Sequence, residues 1–80
     1  MHETRLLEKI FQYLDEEEKL SSRRIKKIYV SLSEFGPLNP QEFKEHCLRL
    51  ANATRWKNLD IEIKKIPHGP ELEITRLEFA

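Results

Sequence analysis

The sequence predicts an α/β domain of the α+β kind, with one three-stranded sheet and two helices packed on one face. Three observations predict it. Apolar residues recur at helical spacing in two segments, Leu6 to Leu14 and Phe43 to Ala51. Apolar and polar residues alternate in three others, around Ile28–Leu32, Leu59–Ile63 and Leu72–Ile74. A single sheet covered on one face by both helices buries every one of these stripes.

The order is helix, strand, helix, strand, strand. The first helix is expected from about Glu3 to Lys19, with Leu6, Leu7, Ile10, Phe11 and Leu14 as its apolar stripe. Asp15 to Glu18 place acids in its last turns, where they oppose the helix dipole, so a frayed end is expected. A strand follows over roughly Ile25 to Ser33, one face buried and the other largely wet, and Gly36-Pro37 stops it. The second helix has a clear start: Asn39 suits the N-cap, Pro40 the first helical position and Glu42 the reciprocal capping position. Its stripe is Phe43, Cys47, Leu50 and Ala51, and it is expected to end near Asn52 or Thr54.

The last two strands are separated by Pro67-His68-Gly69-Pro70, which reads as a hairpin connection. They are therefore expected to be antiparallel neighbours, with Ile61, Ile63, Leu72 and Ile74 facing both helices. The apolar parity changes between Ile74 and Leu77–Phe79, which calls for a bulge near Arg76 or a strand end buried on both faces. No repeat, low-complexity tract or linker divides residues 1–80, so they form one domain.

Composition bounds the function. Fourteen basic residues balance 14 acidic ones, which argues against an electrostatic nucleic-acid binder. Arg55-Trp56-Lys57 is a basic aromatic cluster that could stack on bases; packing of Trp56 at the helix-to-strand corner is the simpler reading. Cys47 is the single cysteine, which rules out an intrachain disulfide and a four-cysteine zinc site. Apolar runs are too short to span a bilayer, and no secretory leader is visible; with one free cysteine, a cytoplasmic location is expected, with no membrane partner. No phosphate-cradling glycine loop or nucleophile–His pattern is present, so an enzyme is not expected.

Several segments resemble one family in shared order and spacing. Met1-His2-Glu3 opens an amphipathic helix. Val30-Ser31-Leu32-Ser33-Glu34-Phe35 ends a strand in a turn. Asn39-Pro40-Gln41-Glu42-Phe43 starts a second helix. Asn58 to Pro67 and Glu71 to Phe79 form the last two strands. The chain resembles the nickel-binding half of the HypA/HybF hydrogenase-maturation metallochaperones over nearly its whole length. It departs from the family in three places. The two Cys-x-x-Cys pairs that hold zinc between the last strands are replaced by His68-Gly69-Pro70. Ser33 stands where the family has a small residue before the turn glutamate, and Asn39 where members often carry Asp. Functions of the zinc module are therefore not carried over.

The resemblance implies a Ni(II) site at Met1, His2 and Glu3, with Glu34 and Asn39 behind it, and delivery of the metal to a hydrogenase or urease maturation partner such as a GTPase. The residues have their own chemistry. A free amine, the first backbone nitrogens and an imidazole at position 2 can close small chelate rings around one cation. Such a planar, nitrogen-rich set suits Ni(II) or Cu(II) better than Zn(II). Carboxylates such as Glu3 and Glu34 can orient a ligating imidazole. The plain alternatives are a solvated His2, a Glu3 that favours the helix start, and a solvated turn residue at Glu34. His46 and Cys47 with His68 could also bind a metal, but Cys47 lies on the apolar stripe and His46 points about 100° away from it; a buried thiol is the better reading. The rival function is a metal-free interaction module that uses a sheet edge or helix face to bind a partner or itself as a homodimer.

Overall fold

The computed structural model describes the backbone of residues 2–80 and the side chains of residues 5–80. It contains α1 (His2–Ser21), β1 (Ile25–Ser33), α2 (Pro40–Asn52), β2 (Asp60–Ile66) and β3 (Leu72–Phe79), the expected order. No described helix is long and apolar enough to cross a membrane.

The sheet order is β2-β1-β3. β2 runs parallel to β1, with Ile61 opposite Ile28 and Ile63 opposite Val30. β3 runs antiparallel to β1 on its other side, with Leu72 opposite Leu32, Ile74 opposite Val30 and Leu77 opposite Ile28. The hairpin expectation is therefore wrong. β2 and β3 point in opposite directions, but they flank β1 and do not pair with each other. The reason is the β1–α2–β2 crossover. A parallel pair needs a crossover connection, and α2 supplies it, setting β2 beside β1. β3 then takes β1's remaining free edge. This puts the most apolar strand in the middle and leaves the charged DIEIKKI strand at an edge, where Glu62, Lys64 and Lys65 discourage further pairing. The link between β2 and β3 must pass the end of β1, a span of two strand spacings or about 10 Å. Two backbone bonds tie its ends there: Glu34 N donates to Ile66 O at 2.7 Å, and Ser33 N donates to Glu71 O at 3.1 Å. Gly69 adopts φ 119°, which only glycine takes without strain.

Two register shifts keep β3 facing the core. Tyr29 pairs with Arg76 and Val30 with Ile74, so Thr75 is an extra residue on β3; its hydroxyl donates to Tyr29 O at 3.3 Å. The expected bulge thus lies one residue before Arg76. Ile25 pairs with Phe79 and Lys27 with Glu78, so Lys26 is a second extra residue, on β1.

One core unites Leu7, Ile10 and Leu14 of α1 with Phe43, Cys47 and Ala51 of α2. Beneath them lie Ile28, Val30 and Leu32 of β1 and Ile61 of β2. Both helices therefore cover the same sheet face. The β3 residues Leu72, Ile74, Leu77 and Phe79 pack against this core but stay half-buried. Trp56 lies in the turns after α2, 7% exposed, with its ring 6.3 Å from Phe11. It packs at the helix-to-strand corner, as the simpler reading holds.

α2 begins as expected: the Asn39 side chain accepts from Glu42 N at 3.0 Å, and Pro40 opens the helix. α1 runs to Ser21, two residues past the expected end. Two of its late acids, Asp15 and Glu18, are neutralised by Arg55 from beyond the helix and by Lys19 within it, which offsets their clash with the dipole. Arg55 bonds Glu18 at 2.7 Å and also Asp15, while Lys19 pairs with Asp15 at 3.3 Å. Glu18 also accepts from Ile25 N at 2.6 Å, and Ser22, at φ 57°, turns the chain into β1.

Candidate metal centre and sheet face

Met1 lies outside the described residues, and of His2 and Glu3 only the helical backbone is described. What the fold fixes is where the head of α1 lies. Arg5, Leu6 and Lys9 line a groove of about 550 Å³ together with Pro37 and Glu71. The far end of α1 meets the start of β1 through the Glu18–Ile25 bond. α1 therefore runs antiparallel to β1, and its head sits at the end of the sheet where β1 leaves and β3 begins. Glu34 is in the exposed turn at that end, and His68 is exposed in the link beside it. So the fold brings the head of α1, Glu34 and His68 to one end of the molecule. Asn39 is different: its side-chain oxygen already caps α2, which accounts for it without any metal. Cys47 is fully buried among Phe43 and Ala51 in the core, as the apolar reading holds, and His46 is half-buried beside it.

Among the described residues, no three His, Cys, Asp or Glu side chains come together as a metal site. With one cysteine in the sequence, a four-cysteine zinc site cannot form. EDTA in otherwise metal-free buffer is expected to leave the melting temperature unchanged. A clear drop, read by circular dichroism, would reveal a structural metal.

The uncovered sheet face carries a polar network that the sequence did not reveal. The Tyr29 hydroxyl donates to Glu78 Oε2 at 2.5 Å, with Arg76 above the Tyr29 ring at 5.2 Å and Lys27 at 4.8 Å. Lys27 also pairs with Glu62 at 3.1 Å. The shifts follow the partners. Glu78 is held below the usual carboxylate range by the Tyr29 hydroxyl, which is raised in turn by Glu78. Lys27 is raised by its bond to Glu62. The Glu78 carboxylate thus favours the protonated phenol. Ser31, between Tyr29 and Ser33 on this face, is buried, and its hydroxyl has no hydrogen-bond partner among the described residues. Opposite charges at Lys27, Glu62, Arg76 and Glu78 were visible in the sequence, but the wrong strand neighbours hid their pairing.

The basic aromatic cluster is also consumed internally. Arg55 stacks on the Trp56 ring at 4.2 Å while bonding Asp15 and Glu18. Glu18 first and Asp15 second raise the pKa of Arg55, and Arg55 first lowers that of Asp15.

The fold and site together define a small α+β domain with helices on one sheet face and a polar face opposite. No family model matches the chain, and neither a curated protein nor a solved structure matches it.

Proposed function

We propose that this domain is a nickel-binding, metallochaperone-like protein rather than an enzyme. Met1 and His2 would supply nitrogen ligands to Ni(II), with Glu3 beside them. The single observation that carries this reading is the Met1-His2-Glu3 sequence at the head of α1, within the helix–strand–helix–strand–strand order of the family it resembles. The unpaired β2 and β3 remove the support that a tight hairpin in place of the zinc module would have given. Because β1 lies between them, the two strands give no ground for a short turn standing in for the zinc module, and the last third of the chain no longer adds to the resemblance. The receiving partner would be a maturation factor for a nickel enzyme, and Glu34 stands at the end of the fold where metal would be handed over.

Calorimetric titration of untagged protein with nickel is the test. An equimolar, saturable signal is expected, lost in His2→Ala. Affinity should rise steeply between about pH 6 and 8, because the imidazole, with a reference pKa of about 6.5, must be neutral and backbone nitrogens must lose protons. Absence of saturable binding sinks the proposal. A flat affinity across that window would assign the metal to carboxylates instead.

A further inference from the structure

We infer that the flank of α1 beside β3 is a self-association surface, taken by the same flank of a second copy lying antiparallel to it. The core stripe of α1 is Leu7, Ile10 and Leu14. A second apolar row runs next to it at seven-residue spacing: Leu6, Tyr13 and Leu20. Leu6 is half-buried, Tyr13 is 40% exposed and Leu20 is 81% exposed. Residues seven apart on a helix lie on nearly one line along its surface, so this row can meet a second helix laid along it. The fold places Leu6 and Tyr13 of this row on the β3 side, and Leu20 continues their line at the end of the helix. Leu6, Ile10 and Tyr13 line a groove of about 290 Å³ with Leu72 and Ile74 of β3. Those two strand residues are half-buried, because among the described residues this groove beside α1 stays open.

Charge selects the occupant. Beside the row lie Lys9 toward the head of α1 and Glu16 and Glu17 toward its end. Among the described residues these three form no ion pair, whereas Asp15 and Glu18 on the opposite flank are engaged by Arg55 and Lys19. A two-fold axis through Tyr13 reverses the second helix. Leu6 of each copy then meets Leu20 of the other, the two Tyr13 rings meet at the axis, and Lys9 of each copy faces Glu16 and Glu17 of the other. A two-fold contact of this kind uses one self-complementary patch. The same flank laid parallel would set Lys9 against Lys9 and the glutamates against each other, so the charges permit only the antiparallel pairing.

Sedimentation equilibrium of the untagged full chain, from micromolar to millimolar concentration, tests this. A reversible monomer–dimer equilibrium is expected. Leu20→Arg changes a side chain that is almost wholly in solvent, so the fold is kept, as circular dichroism would verify, and dimers are lost. Lys9→Glu should weaken dimerisation by about tenfold or more, because like charges across an interface are costly. Combining it with Glu16→Lys and Glu17→Lys should restore the dimer. A chain that stays monomeric throughout overturns the inference, as does a dimer unchanged by either Leu20→Arg or Lys9→Glu.

Discussion

Phe43→Ala is expected to destabilise the domain by about 3–5 kcal/mol, the range for a buried aromatic truncated in a core. Phe43 is fully buried and is the largest such side chain. It lies one turn into α2, where its ring fills the layer between that helix and the sheet alongside Cys47 and Ala51. A domain of this size has only about 4–12 kcal/mol to lose, at roughly 0.05–0.15 kcal/mol per residue. No disulfide can offset the loss, because Cys47 is the single cysteine. The variant should therefore be partly or wholly unfolded at room temperature. Phe43→Leu keeps most of the volume and should cost far less. Urea unfolding followed by circular dichroism measures both. A Phe43→Ala midpoint within experimental scatter of the parent would mean that this layer can collapse around the cavity, and that the core is not organised around Phe43.

Deleting a single residue from β3 should have opposite consequences at two nearby positions. Side chains alternate across a strand, so losing one residue ordinarily turns every later side chain to the other face. Thr75 is the exception. It is the extra residue of the bulge, with Ile74 set opposite Val30 and Arg76 opposite Tyr29. Removing it leaves Ile74, Arg76 and Leu77 in plain alternation: core, open face, core. Stability should stay within about 1 kcal/mol of the parent, the net worth of the lost Thr75–Tyr29 bond. Removing Glu73 instead moves Ile74 opposite Ser31, onto the polar face, and puts Thr75 in its place over the core. The cost is the partial burial of one isoleucine, about 1–1.5 kcal/mol because Ile74 is half-buried, plus a hydroxyl moved toward the core. Thermal unfolding of the two deletion variants decides the matter. Equal losses in both would mean that the bulge is not at Thr75.

Individual elements were legible because their signals are local. Asn39-Pro40 started α2 where expected, since a cap and a proline act within one turn. The parity break after Ile74 announced a bulge, since alternation needs only a few residues to read. Cys47 was correctly placed in the core, because its spacing from Phe43 and Ala51 fixes its helix face. Met1, His2 and Glu3 are a proposal of another kind, since their side chains lie outside the described residues.

What failed to show in the sequence depended on which elements meet. Pro67 to Pro70 has the composition of a hairpin, yet composition does not say whether a short link turns back beside its own strand or passes the end of a third. That choice was made by α2, which tied β2 to β1 and left β1's other edge for β3. The Tyr29–Glu78 bond and the groove of Leu6 and Tyr13 beside β3 follow from that arrangement, while the Arg55 clamp on Asp15 and Glu18 comes from where the turns after α2 meet α1. The sequence by itself determined five elements, their faces and their ends to within two residues, because these rest on periodicity and capping within a few residues. Only the tertiary structure decided strand order, ion-pair partners and which flank of α1 is left uncovered, because each is a contact between residues far apart in the chain, and the pairing that buries the most apolar strand wins over the turn composition of a short link.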